Sequence, residues 1–357
     1  MKKPYWIKKS YLKYKINNIL FSIIQIFIPK NKVGNKVLIT QLDGIGDIII
    51  RQKMVELIAD KYGKENIVIL VTNGLELIDF LGFKYEVFDK DMHYNFIKLT
   101  KLFMKLCKYD FSIFYSLEFP SENKIDFLNK LIFKEIYAFE GGSIGNWKKD
   151  NINTVKKKKG KVLEVLYDYT HKFIKYDIEK EHIKPELDIE TLDMGYIAVG
   201  VGASNKKRIA SPEKMAEFLK ILIKENNDIK FHMLGYGKND ILYFQELIKY
   251  FDSDKNLVCL VNKLNLVETM KQIANAKLYI GFDSGLYNMA YALKKKQICI
   301  VSLNGSQDFF HEDKNIKFLY KELNENIEEK AVNSDYNNDI NLISDKAFRK
   351  VFHELTK

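Results

Sequence analysis

The sequence predicts an α/β protein made of two doubly wound, Rossmann-like domains that face each other across a cleft. Three observations carry this. From Lys36 onward, short apolar runs of strand type alternate with helix-period patterns, the signature of parallel sheets. The alternation occurs twice, on either side of a mixed, charged stretch at 177–195 that contains Pro185. At 357 residues the chain is long for one domain and suited to two, and its 46% hydrophobic content supplies both cores.

The elements follow in order. Residues 1–35 are a basic extension. Within it Lys15, Asn18, Ser22 and Gln25 step by three or four, so they form a polar stripe opposite a broad apolar face on a helix ended by Pro29. The apolar stretch is about a dozen residues, short of the roughly 20 that cross a bilayer, and no small-residue cleavage site follows it. Residues 1–42 hold nine lysines and no acid, with Tyr5, Trp6, Tyr11 and Tyr14 among them. Cations and amphipathic rings are what an interfacial helix uses on anionic lipid, so residues 1–30 are expected to bind the cytoplasmic face of a membrane peripherally. The alternative is a helix packed on the protein's own surface or in a dimer.

The first domain, 36–176, is expected to have strands at 37–40, 67–72, 111–117 and 132–139. Helices are expected from about Asp47, at 75–81, and to about Tyr176 after the lysine run 156–159. Beyond the linker 177–195, the second domain, 196–340, repeats the scheme with strands at 197–201, 229–234, 257–261, 278–282 and 298–303. Its helices start near Pro212, Asp240, Leu266 and Gly285, and a final helix occupies about 342–355 of a C-terminal segment, 341–357.

Nine of the ten net positive charges belong to residues 1–42: the other 48 of 57 basic residues meet 47 acids, so the body is nearly neutral and nucleic acid is not an expected partner. Cys107, Cys259 and Cys299 are odd in number and lack metal-type spacing, and the six histidines never fall at a zinc spacing, which argues for reduced core cysteines and against a metalloenzyme.

In doubly wound sheets, ligands bind beyond the carboxyl ends of the strands. Gly44-Ile45-Gly46, Gly200-Val201-Gly202 and Gly235-Tyr236-Gly237 all follow strands, but none has the third glycine of a dinucleotide fingerprint, and Asn73 stands where an acid would hold a ribose. A nicotinamide dehydrogenase is thereby disfavoured. The glycines serve tight turns or close approach to a ligand. Asp47, at a helix start, either caps that helix or acts as a general base in the cleft, and Arg51 at i+4 either pairs with it or faces the same cleft. Ser204 to Arg208 put a hydroxyl and three cations between a strand end and a helix capped by Ser211, where backbone amides already favour an anion. Asp283-Ser284-Gly285 joins a strand directly to an alanine-rich helix, as a phosphate site or a plain Asp cap.

Taken together, the Gly46-Asp47 loop, Gly202-Ala203-Ser204 with Lys207-Arg208, the Leu234-Gly235 strand end and Asp283-Ser284-Gly285 resemble glycosyltransferase family 9, the bacterial lipopolysaccharide heptosyltransferase family, over about residues 36–310. The resemblance implies a GT-B fold and an inverting, metal-independent transfer from an ADP-heptose-type nucleotide-sugar donor to a lipid-linked surface glycan. It implies Asp47 as the base, Ser204, Lys207, Asp283, Ser284 and Gly285 at the phosphates, and Asp240 at the donor ribose. Arg208 joins the phosphate group as a bidentate partner. No cofactor or metal is expected: Asp89-Lys90-Asp91 and Asp252-Ser253-Asp254 match the metal-binding triplet, but 23 aspartates in 357 residues yield about one or two such triplets by chance. The chain departs from the family at Asn288, where His is usual and where Asn offers phosphate an uncharged donor, at Ile209 in place of Trp, and at Ser306 in place of Pro. Other expectations that the residues allow are another GT-B activity, such as a nucleotide-sugar epimerase, and a catalytically inactive membrane-tethered binding module.

Overall fold

A computed structural model describes residues 11–118, 125–140, 144, 147, 149–156, 161–175, 179–253, 255–302, 311, 313–321 and 338–356. Lys2, Lys3, Tyr5, Trp6, Lys157, Lys158, Lys159, Asp254 and Ser306 lie outside these residues. The chain divides into two compact units, one of residues 1–160 and 164–183, the other of 161–163 and 184–357.

The first unit runs α1 (Tyr11–Ile24), β1 (Lys36–Gln41), α2 (Ile45–Ile50), α3 (Gln52–Tyr62), β2 (Ile67–Val71), α4 (Leu75–Phe80) and β3 (Lys84–Val87). It continues with α5 (Phe96–Cys107), β4 (Phe111–Ser116), β5 (Glu135–Phe139), β6 (Ile152–Val155) and α6 (Val162–Tyr169). The second has β7 (Ile197–Gly200), α7 (Pro212–Glu225), β8 (Phe231–Leu234), α8 (Lys238–Leu247), β9 (Leu257–Cys259) and α9 (Leu266–Asn275). After these come β10 (Leu278–Phe282), α10 (Gly285–Ala292), β11 (Gln297–Ile300), β12 (Ile316–Leu319), α11 (Asn338–Asn341) and α12 (Asp345–Thr356).

Both expected parallel sheets are present, each of six strands. Their orders are β3-β2-β1-β4-β5-β6 and β9-β8-β7-β10-β11-β12, the same winding twice. In each sheet the order reverses between the first strand and the fourth, β1 and β4 in one and β7 and β10 in the other, which marks the point where such sheets bind ligands. Central strands read as continuous apolar runs because helices cover both faces: Val37, Leu38, Ile39 and Ile67 to Val71 are all buried. Beyond the expected elements lie β3, β6, β12 and α5. The three strands are short and partly polar (Lys-Tyr-Glu-Val, Ile-Asn-Thr-Val, Ile-Lys-Phe-Leu) because they occupy edge or near-edge positions, where one face needs no apolar side chain. Helix α5 is amphipathic, with Leu99, Leu102, Phe103 and Leu106 inward. At the C-terminus, α12 stacks Phe348 on Phe218 of α7, ring centroids 4.6 Å apart, and so closes the second core.

Helix α1 is docked rather than free, and on an unexpected face. Tyr14, Asn17 and Phe21 are its buried residues. Phe21 meets Phe103 edge-on at 5.6 Å, Asn17 donates to the His93 carbonyl (3.0 Å), and just beyond the helix Gln25 donates to that of Phe127 (3.0 Å). The apolar residues Leu12, Ile16, Ile19 and Ile23 are left exposed. Inward amides that hydrogen-bond to loop carbonyls explain the inversion: they satisfy polar groups that the core would otherwise strand.

Candidate functional site

In the first unit the loop Leu42-Asp43-Gly44 leaves β1 at the reversal of strand order. Asp47, half-buried in the first turn of α2, accepts a hydrogen bond from the Gly44 amide (3.2 Å), so it performs the capping expected of it. Around it the loop is tied to both neighbouring strands. Glu118, just past β4, accepts from the Leu42 amide (3.0 Å), from Thr40 Oγ1 (3.0 Å) and from Ser116 Oγ (3.3 Å). On the other side Asn73, just past β2, donates to the Asp43 carbonyl (3.2 Å).

Arg51 is only 1% exposed, and its Nη1 pairs with Asp43 Oδ2 at 3.0 Å, a partner the i+4 spacing to Asp47 does not suggest, so it holds the loop from beneath. Burial pushes the Glu118 carboxyl up, Asp43's charge adds to this, and Arg51 with the Leu42 and Thr40 hydrogen bonds pulls it back in part. Asp43, Arg51 and Glu118 thus form a cluster of two carboxylates and one guanidinium under the loop that carries Asp47, with Arg51 and Glu118 buried and Asp43 partly exposed.

In the second unit three adjacent strands, β10, β7 and β8, bring the remaining candidates to one carboxyl edge. After β7, Asn205 caps a single turn by accepting from the Lys207 amide (3.0 Å), and Ser204, Lys207 and Arg208 are exposed on it. Arg208 Nη1 lies 3.3 Å from Asp283 Oδ2, joining this loop to the one after β10 across the reversal of strand order. Asp240, in the first turn of α8 after β8, accepts from the Tyr236 amide (2.9 Å). Its carboxylate fills space that a side chain at 202 or 235 would need, so Gly202 and Gly235 leave room for Asp240 where it stands. Burial raises its pKa, and the Tyr236 hydrogen bond lowers it in part.

Gly200 has a similar explanation, which the sequence reading missed. Together with Gly281 on the paired strand it makes room for the ring of Tyr279, which lies along the sheet and brings its buried hydroxyl to the strand ends. Gly200 is therefore a strand residue beneath the loop, with no positive φ, and not part of a phosphate-binding turn.

Ser284 occupies the N-cap of α10 with extended backbone, yet its hydroxyl makes no cap hydrogen bond to the first turn. Asn288, one turn on, is buried. Its Nδ2 donates to the Ser284 carbonyl (3.3 Å), and its Oδ1 meets His311 Nε2 at 3.1 Å. An amide oxygen only accepts, so His311 donates there. Burial pushes the His311 imidazole down to about 3, and it stacks on Tyr291 with centroids 4.1 Å apart. A neutral histidine thus stands beside Asn288, supplied by a distant part of the chain. The only sequence signal was a His in a polar stretch after the last expected strand. Glu118 had a plainer one: it is an acid directly after a strand, overlooked because sequence does not reveal which strands lie side by side. Among the described residues no group of three or more His, Cys, Asp or Glu is placed to hold a metal.

Comparison with known proteins agrees with the resemblance drawn from the loops. Residues 151–312 match glycosyltransferase family 9 (heptosyltransferase), a region that contains every candidate residue of the second unit. Over 105 residues the chain is 30% identical to lipopolysaccharide heptosyltransferase 1 of Campylobacter coli, an alignment that spans 29% of this chain and 30% of that protein. Among solved structures, ADP-heptose LPS heptosyltransferase II of E. coli matches with a TM-score of 0.69 at 15% identity, over 90% of this chain and 98% of that one. The family 9 glycosyl transferase of Veillonella parvula matches with 0.71 at 13%, over 91% and 97%. E. coli heptosyltransferase WaaC, solved with ADP-2-deoxy-2-fluoro heptose, matches with 0.63 at 12%, over 89% and 99%. At these identities the structures establish the fold, which is the GT-B pair of Rossmann-like domains.

Proposed function

We propose that this protein is an inverting, metal-independent glycosyltransferase that moves a heptose-like sugar from an ADP-linked donor to a lipid-linked surface glycan. The observation that carries the proposal is the second unit's strand-end cluster, Ser204 to Arg208 joined to Asp283 within the region that matches family 9. Support for the donor comes from WaaC, whose solved ligand is an ADP-heptose analogue.

In this reading Asp47 takes the proton of the acceptor hydroxyl as that oxygen attacks the anomeric carbon. The bond from that carbon to the phosphate oxygen breaks with inversion, and the nucleoside diphosphate leaves. Lys207 and Arg208 neutralise the charge growing on the leaving group, with the amides at Ser284 and Gly285 assisting. Asp283 orients Arg208, Asp240 holds the ribose hydroxyls, and Asn288 braces the Ser284 turn. Thermal shift with free nucleotides tests the donor: ADP should raise the unfolding temperature and UDP and GDP should not. A shift with UDP alone would reject the heptose assignment.

The acceptor's lipid places the reaction at the cytoplasmic membrane face, and α1 supplies the means. Leu12, Ile16, Ile19, Ile23, Ile26 and Phe27 are 48–80% exposed on a segment flanked by lysines, with no helix among the described residues long and apolar enough to cross a membrane. Apolar side chains enter the interface while lysines meet anionic headgroups. Replacing Ile19, Ile23 and Phe27 together with glutamate should abolish co-sedimentation with phosphatidylglycerol vesicles and leave the unfolding temperature within about 2 °C, since none of the three is buried. Undiminished sedimentation would reject the assignment.

A further inference from the structure

The loop Gly235-Tyr236-Gly237 holds an aromatic ring that the fold does not use. Tyr236 is 86% exposed, the highest value among the described large hydrophobic residues. Its side chain has no ring, cation or hydrogen-bond partner among those residues, although its backbone is firmly held. Its amide donates to Asp240 Oδ2 at 2.9 Å, the Gly237 amide donates to Asn262 Oδ1 at 2.6 Å, and the Asn262 amide returns to the Gly235 carbonyl at 3.1 Å. Gly237 with φ +99° and Asn262 with φ +58° fix the turn in conformations that few residues adopt. A rigid loop presenting an unpacked ring is pre-organised for a flat ligand, because little freedom is left to lose on binding.

We propose that Tyr236 is the platform on which the base of the donor nucleotide stacks. The inference rests on the function proposed above and extends it to the nucleobase. Asp240, whose carboxylate accepts from Tyr236's own amide, is the ribose-binding acid of that reading. A carboxylate that takes the vicinal hydroxyls of a ribose leaves the base, on the neighbouring ring carbon, within reach of a side chain that starts at the same loop. Every nucleobase offers a π face, so Tyr236 contributes affinity for nucleotides in general, while hydrogen-bonding groups set the preference among bases.

Calorimetric titration of the full chain with ADP, and with inorganic pyrophosphate as a ligand lacking the base, tests this. Tyr236→Ala should weaken ADP about 10-fold, within the range typical of base–aromatic stacking, and leave pyrophosphate unchanged. Tyr236→Phe should hold ADP within about twofold of wild type, since the ring and not the hydroxyl does the stacking. Equal ADP affinity in wild type and Tyr236→Ala would overturn the proposal. So would an equal loss of ADP and pyrophosphate, which would mean a disturbed loop and not a lost platform. Failure of the wild-type protein to bind ADP at all would instead reject the nucleotide reading beneath it.

Discussion

Replacing Asp47 with asparagine should lower the rate of sugar transfer by roughly 10²- to 10⁴-fold, the usual contribution of a positioned general base. It should leave ADP affinity and thermal stability nearly unchanged. Asparagine keeps an oxygen to accept from the Gly44 amide, so the cap at 3.2 Å survives and only the capacity to take a proton is lost. Initial rates measured over a pH series check the assignment. Retention of the wild-type rate would remove Asp47 from the chemistry and leave it as a helix cap.

Replacing Arg51 with methionine should be the most damaging change to stability. It leaves the buried Glu118 and the partly exposed Asp43 without their cation, and stripping one partner from a buried charge group typically costs about 3–5 kcal/mol. The loss should show as a fall of roughly 10 °C in the unfolding of the first unit. The pH dependence gives the cause away. Burial already raises the Glu118 carboxyl, and loss of Arg51 removes one of the influences that pull it down, so its folded pKa climbs further above its unfolded one. A group raised in this way gives stability that is fully present below the unfolded pKa and is lost as pH rises through the folded pKa. The deficit of the variant relative to wild type should therefore be largest near pH 8 and shrink toward pH 4.5, as Glu118 takes up a proton. Adding Glu118→Gln to the Arg51 variant should recover part of the lost stability at pH 8. A deficit of the same size at both pH values would point to lost packing around the Arg51 side chain and not to uncompensated charge.

These two residues also mark where the sequence could and could not be read. Strand-end loops are legible because apolar runs locate strands and turn residues follow them, so the sequence alone places Asp47, Ser204 to Arg208 and Asp283 to Asn288 just past strand ends, where the structure has them. Adjacency of strands was not legible. Glu118 and Leu42 meet because β4 lies beside β1, and Arg208 meets Asp283 because β10 lies beside β7, both consequences of strand order. Burial was equally hidden. At i+4 from Asp47, Arg51 could pair with it or face the cleft, and the sequence does not show that its guanidinium is buried against Asp43. The glycines misled for a related reason: Gly200, Gly202 and Gly235 mark the space taken by the side chains of Tyr279 and Asp240, which lie 79, 38 and 5 residues away in sequence, respectively. Helix α1 was found from its period, and its orientation was not, because amides at Asn17 and Gln25 turn the less apolar face inward.

Sugar transfer from an ADP-linked heptose with inversion at the anomeric carbon is tested by incubating the purified full chain with ADP-heptose and a lipid-linked glycan acceptor in the presence of EDTA, measuring released ADP against glycosylated product, and determining the product's anomeric configuration by NMR. One ADP per product, with the configuration opposite to the donor's, is the predicted result. Product of retained configuration, a rate abolished by EDTA, or ADP release with no glycosylated product would contradict it.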